Sequence, residues 1–195
     1  MQPQKFDPIY FEGHLLNSEA EKDFKLIELL KLRQGNAMVF CATGNAVDYV
    51  HDLLSAHGIE SLRYHKRLRA PDQRRALSVF NSSKTAVLVI SGEFEDEIAE
   101  AHVRLVVHFN YPVSMAAYLR QTSYVGADGL PARCALLYFR KDKRTQKRDP
   151  EDLRQVVKYA QSAMCRVQLL GRFAGTDAPV CHRCDNCLKT PKSRP

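Results

Sequence analysis

Four cysteines carry the clearest chemistry in this sequence of 195 residues. Cys181-His-Arg-Cys184-Asp-Asn-Cys187 sets three thiols at two-residue intervals. Such spacing lets a tight turn aim its sulfurs at one point about 2.3 Å away. Cys165, with fifteen residues between it and Cys181, supplies a fourth sulfur. Four thiolates close a tetrahedral shell with no open position, which points to a structural zinc ion, one per chain. His182 is an alternative ligand in place of one sulfur; four cysteines would also serve an iron–sulfur cluster, but no redox features accompany them. The stretch 171–180 is polar and contains glycine and proline, so a metal clip is physically useful there. Cys41 and Cys134 lie in apolar runs and are expected as plain core residues.

A second group is cationic. Arg63, Lys66, Arg67, Arg69, Arg74 and Arg75 crowd one stretch in which Asp72 is the single acid. The whole chain carries a formal charge of +7 and a pI near 9.1. The field is uneven, because Glu93, Glu95, Asp96, Glu97 and Glu100 fall in one run; elsewhere 29 cations face 17 acids, from totals of 29 and 22. A basic chain with no sign of membrane attachment favours nucleic acid as its anionic partner. The acidic run suits the first turns of a short helix capped by Ser91 better than a cation site. His51, His57, His65, His102 and His108 are scattered, and His108 sits in an apolar run as a core residue would. Ser91, Ser114 and Ser123 have no partner set for nucleophilic catalysis. The residues themselves point to no enzymatic chemistry.

The elements that must position these groups alternate in type. Strand-like runs are Ile9–Phe11, Ala37–Cys41, Leu62–His65, Ala86–Ile90, Leu105–Phe109 and Cys134–Phe139. Amphipathic stretches lie between them. Glu19–Arg33 sets Phe24, Ile27, Leu30 and Leu32 along one side, Ala46–His57 does the same with Val47, Val50, Leu53 and Leu54, and Pro71–Phe80 turns Ala76, Leu77 and Phe80 inward. Runs such as Ala-Val-Leu-Val-Ile are apolar on both faces, which suits central strands of a covered parallel sheet. The pattern predicts an α/β domain, a parallel sheet flanked by helices. The apolar-free run from Arg140 to Asp149 reads as an exposed connection, so a division into 1–148 and a small helical module at 149–195 is expected. Asp149, Pro150, Glu151 and Asp152 open one long helix with a stripe from Leu153 to Leu170, and Cys165 projects from its last turns.

With 45 % hydrophobic residues the chain can bury a sizeable core. No run approaches the ~20 apolar residues of a membrane span, and the first residues do not resemble a signal peptide. A cytoplasmic, nucleoid-associated location is expected, or a nuclear one in a eukaryote. In that reducing setting, cysteines serve metals more often than disulfides.

The cysteine pattern after an α/β domain resembles the RecQ family of DNA helicases. Met38-Val-Phe-Cys-Ala-Thr43 looks like helicase motif IV. Tyr64-His65-Lys66-Arg67-Leu68 stands where that family has Tyr-His-Ala-Gly-Leu. Val103-Arg-Leu-Val-Val-His108-Phe-Asn-Tyr-Pro112 follows the strand before motif VI, and Asp128-Gly129-Leu130-Pro131-Ala132 matches that motif's end. The resemblance spans roughly residues 6–190 as a second RecA-like lobe plus a zinc module. It implies that Thr43, His65, Lys66 and Ser91, with Arg67 added, touch the backbone of single-stranded DNA.

Two departures matter. The family's Gln-x-x-Gly-Arg-x-Gly-Arg becomes Arg120-Gln-Thr-Ser-Tyr124-Val-Gly-Ala127-Asp128, so both arginine positions are lost, to Tyr124 and Ala127. Such an arginine supplies transition-state charge worth roughly 10³–10⁵ in rate. The glycine-rich motif V becomes Ile90-Ser91-Gly92-Glu93-Phe94-Glu95-Asp96-Glu97, where carboxylates repel phosphate. No Gly-x-x-x-x-Gly-Lys-Ser/Thr loop occurs in the sequence. The expectation is a degenerate, ATPase-inactive relative, naturally reduced rather than a fragment. It would use no ATP and act as a nucleic-acid-binding accessory factor in DNA repair or recombination. Rival expectations are a protein-interaction module meeting a repair protein, and half of a helicase completed by a separate first lobe.

Overall fold

Runs that are apolar on both faces can be buried only between two layers of helices, and they form the centre of the sheet. Strands β2 (Asn36–Cys41) and β4 (Val87–Ser91) are buried at every residue, and β5 (Val103–His108) at all but Arg104. With β1 (Ile9–Leu15), β6 (Ala132–Tyr138) and β3 (Leu62–Tyr64) they make a six-stranded parallel sheet ordered β1-β6-β5-β2-β4-β3. The computed structural model describes residues 8–92, 102–126, 128–139, 142 and 149–189. The acidic run Glu93–Glu100, Ala127 and most of the expected connection 140–148 lie outside the described residues.

Helices α1 (Glu19–Lys31) and α2 (Gly44–Ala56) cover one face, where Leu26, Leu30, Val47 and Leu54 pack on Val39, Val89 and Val107. The other face carries α3 (Ala70–Ser82), α4 (Met115–Thr122), α5 (Pro150–Gln161) and α6 (Arg166–Phe173), whose Phe80, Tyr118, Val156 and Leu170 meet Met38, Ile90, Val106 and Leu136. A short α7 (Asp185–Lys189) closes the described chain. Ser18, Thr43, Ser114 and Asp149 cap their helices through side-chain oxygens that accept first-turn N–H groups. The expected α/β parallel-sheet fold therefore forms. Among the described residues, no helix is long and apolar enough to cross a membrane.

Two expectations need correction. On α1, Phe24 and Leu32 are 70 % and 66 % exposed, and the buried face is Lys22, Leu26, Ile27, Leu29 and Leu30. The stripe is rotated because Lys22 can be buried: its ammonium pairs with Asp142 at 3.0 Å and lies over the rings of Phe109 and Phe139. The long helix expected from Pro150 is two helices, and Cys165 is the N-cap of the second. Ala163 and Met164 are exposed at the break. The carbonyls freed there find side-chain donors. Asn186 Nδ2 bonds Ser162 O and Met164 O at 2.7 Å each, and Arg166 Nη1 bonds Tyr159 O at 2.7 Å. Beyond the expected division at 148/149, Tyr159, Ala160, Leu170 and Cys184 share one core with Phe11 and Tyr138.

Candidate functional site

The break between α5 and α6 is what brings the cysteines together. It leaves Cys165 at the start of α6, facing the turn that carries Cys181, Cys184 and Cys187. All four Sγ atoms lie within 4.8 Å of one another. Cys165 to Cys181 is 3.5 Å, Cys184 to Cys187 is 3.4 Å and Cys181 to Cys187 is 4.0 Å. Tetrahedral zinc with bonds of about 2.3 Å sets its sulfurs about 3.8 Å apart, so the donor set and its dimensions fit that ion. His182 is exposed with its backbone in the left-handed region (φ 57°) and is no part of the cluster.

Backbone N–H groups already point at the sulfurs. Cys181 N donates to Cys165 Sγ and Arg166 N to Cys184 Sγ, each at 3.3 Å. Burial works against ionising Cys165, but hydrogen bonds from the backbone of Cys181 and Gln168, and from the Cys181 and Cys187 thiols, outweigh it and lower its thiol to about 7. Burial, then hydrogen bonds and charge from Cys184 and Cys165, pushes Cys187 up to about 12. The Cys165 thiolate forms readily, whereas burial raises Cys181 and Cys187. Cys41 and Cys134, by contrast, are strand residues whose thiols burial holds far from ionisation.

Behind the cluster stands a buried ion pair that sequence reading missed. Arg166 Nε and Nη2 donate to the two Asp185 oxygens at 2.9 and 3.1 Å, and Gly13 N in β1 donates to Asp185 Oδ2 at 3.0 Å. A Cβ on Gly13 would lie 2.7 Å from Arg166 Nη2. The Asp185 signal was an acid adjoining a cysteine ligand, indistinguishable in sequence from a solvated charge.

The second group lies at the carboxyl ends of β2, β4 and β3, where Cys41 is in register with Ser91 and Tyr64 with Ile90. Thr43, Ser91, His65, Lys66 and Arg67 follow or end those strands, so one edge of the sheet gathers all five. This edge adjoins the switch between β2 and β5, where crossovers diverge to opposite sides and α/β sheets bind ligands. Thr43 and Lys66 are exposed, His65 and Ser91 buried. Asp48 on α2, absent from the sequence reading, organises the group. Its carboxylate accepts from Arg63 Nη1 at 3.0 Å, His65 Nε2 at 3.3 Å and Arg67 Nη2 at 3.3 Å. Slight burial opposes it, yet the bonds from His65 and Arg63 hold its carboxyl below the ordinary range.

Tyr124, at the first lost arginine position, turns inward and stacks against Phe40 with ring centroids 6.4 Å apart. Phe40 stacks in turn on His108 at 5.2 Å. His108 is a core residue, as its apolar strand suggests, with Nε2 bonded to Gln121 Oε1 at 2.9 Å.

Against known families, the helicase conserved C-terminal domain matches residues 21–126 and the RecQ zinc-binding family matches 117–188. The chain is 29 % identical over 175 residues to ATP-dependent DNA helicase Q5 of Mus musculus, covering 78 % of this chain and 18 % of that protein. With ATP-dependent DNA helicase RecQ of Bacillus subtilis it shares 26 % over 172 residues, covering 81 % of this chain and 29 % of the relative. The match thus spans less than a third of either relative's length. Among solved structures, domain 2 of the DEAD-box helicase Mss116p bound to an RNA duplex superposes with a TM-score of 0.63 at 13 % identity, covering 78 % of this chain and 58 % of that one. The DEAD-box protein SrmB of E. coli bound to RraA gives 0.57 at 20 %, covering 67 % and 76 %. These two show the fold alone.

Proposed function

The chain belongs to the helicase conserved C-terminal domain family, as a RecQ-type lobe with its zinc-binding module, and from that premise we propose that it binds single-stranded nucleic acid without hydrolysing ATP. The observation that carries this reading is the basic edge. Thr43, His65, Lys66, Arg67 and Ser91 gather at the ends of three adjacent strands, and Asp48 and Asp72 are the acids paired to its arginines. Phosphates contacted there are held by charge and by N–H donors, with little sequence preference. Zinc held by Cys165, Cys181, Cys184 and Cys187, one ion per chain, fixes the module behind the lobe and takes no part in chemistry.

The absence of ATP turnover by this chain rests on Tyr124. Its ring is committed to Phe40 and offers no cation to a phosphate. In a cell the chain then serves as an accessory factor in DNA repair or recombination.

Titration of a labelled oligothymidylate at two salt concentrations tests the reading. Binding should weaken with salt, each phosphate contact adding about 0.7 to the logarithmic slope. Lys66→Glu with Arg67→Glu should remove most affinity without lowering the melting temperature. Absence of binding at low salt overturns the proposal. Phosphate release from ATP by the purified chain, lost in a basic-edge variant, overturns its ATPase clause.

A further inference from the structure

Leu32 and Leu130 are large apolar side chains left 66 % and 54 % exposed. Single leucines on a surface are ordinary, but these two line the same hollow, of about 420 Å³, at the amino ends of β5 and β6. Deeper in its lining, Leu29 near the end of α1, Leu105 on β5 and Ala132 on β6 belong to the buried core. Arg33 and Gln34, in the connection from α1 to β2, form one wall. All six strands run parallel, so this end of the sheet lies opposite the carboxyl-end edge that gathers Thr43, Lys66 and Ser91.

Arg33, Arg104 and Arg133 line the hollow, and no acid does. Two of these charges are already answered. Arg104 Nη1 donates to Asp128 Oδ1 at 2.9 Å, and Arg133 Nη2 to Glu12 Oε2 at 2.9 Å. Arg33 differs. Its Nη1 donates to Leu30 O at 2.6 Å and its Nη2 to Thr85 O at 3.1 Å, and among the described residues it pairs with no carboxylate. Each of these nitrogens carries two hydrogens, so each keeps one to give. An apolar interior thus adjoins one uncompensated cation. No aromatic ring lines the hollow to stack a base, so its chemistry suits a protein better than a nucleic-acid strand.

We propose that this hollow docks a short acidic segment of a partner protein, with one large apolar side chain seated between Leu32 and Leu130 and a neighbouring carboxylate paired with Arg33. The apolar side chain is the anchor, since it removes the two exposed leucines from water together with itself. The carboxylate adds little affinity in so open a place but sets the choice of partner, because a basic segment would meet three arginines. Docking here leaves the basic edge open and does not depend on it, so the chain can hold a protein segment and a nucleic acid at once.

The experiment pans a displayed library of random short peptides against the full chain and measures the selected peptides by fluorescence polarisation. They should combine Asp or Glu with Leu, Ile or Phe. Gln34 is exposed on the wall beside Arg33, so its charge can be changed without touching the core. Gln34→Glu should weaken these peptides about fivefold and Gln34→Lys strengthen them by about as much. Leu130→Asp should weaken them about tenfold or more, with the melting temperature unchanged because the side chain is exposed. Saturating oligothymidylate should not displace them. Selection of no peptides, or of peptides without acids, overturns the proposal, as does an affinity that ignores Gln34 and Leu130. Loss of oligothymidylate binding in Leu130→Asp would assign the hollow to nucleic acid and overturn it equally.

Discussion

Burial decides the charge state of single residues in this fold, and His108 shows it most sharply. Its ring is enclosed by Phe40 and Tyr118, and burial lowers it to about 4, against a small upward pull from Gln121. An unfolded histidine titrates near 6.5. Above that value both states are neutral and the residue contributes no pH dependence. Below it the unfolded chain binds a proton that the folded chain refuses, so stability falls as pH drops from about 6.5 towards about 4. The expected loss between about pH 7 and pH 4.5 is about 2–3 kcal/mol. Urea melts of the wild type and His108→Phe at those two values check it, and an equal loss in both rules it out. The carboxylates Glu12, Asp128 and Asp185, all held low, act in the same direction at more acid pH, and His51, also lowered by burial, acts in the same window, so the difference between wild type and His108→Phe is what isolates His108. The sequence placed His108 inside because its strand is apolar. It had no means of showing that Tyr124 would join the same aromatic stack.

At the scale of elements, strands and their order of burial were legible because Val-Leu-Val-Ile and Leu-Val-Val patterns have one physical solution. The helices were legible in existence and less so in detail. The face of α1 was misjudged since a buried lysine looks like a solvated one until Asp142, distant in the chain, is beside it. The break at 162–165 was hidden for the same reason: its carbonyls are satisfied by Asn186 and Arg166, not by local sequence. Helix α4, capped by Ser114, spans only eight residues, too few turns to set up a clear apolar stripe. Arg166 is the test of how these elements hold together. Its side chain and that of Asp185 are 3 % and 6 % exposed. Replacing it by methionine strands a buried carboxylate and frees carbonyls of α5, which should cost about 3–5 kcal/mol in chemical denaturation. The double variant Arg166→Met, Asp185→Leu should recover part of that loss, since it leaves no unpaired charge. A double variant no more stable than the single one would show that Asp185 is held by Gly13 N and its neighbours independently of Arg166.

For the molecule as a whole, the question is whether the cysteine cluster stabilises only its own module. A clip confined to the polar tail would, when lost in Cys184→Ser, unfold the residues after Gly171 and spare the lobe. The packing extends that consequence. Cys184 is fully buried in the core cluster that contains Phe11 of β1, and Asp185, the next residue, bonds the backbone of Gly13 in the same strand. Strand β1 is an edge strand, paired with β6 alone, so it depends on what covers it. Losing the metal removes the force holding four sulfurs together and with it the position of α7. Chelation, or Cys184→Ser, should therefore raise amide exchange in residues 165–189 and in Ile9–Leu15 together. The central strands β2, β4 and β5, buried at nearly every residue, should stay protected. Exchange mass spectrometry before and after chelation distinguishes the outcomes. Loosening confined to the segment after Gly171 would make the cluster a local clip, whereas loosening that reaches β1 makes it part of what holds the sheet's edge.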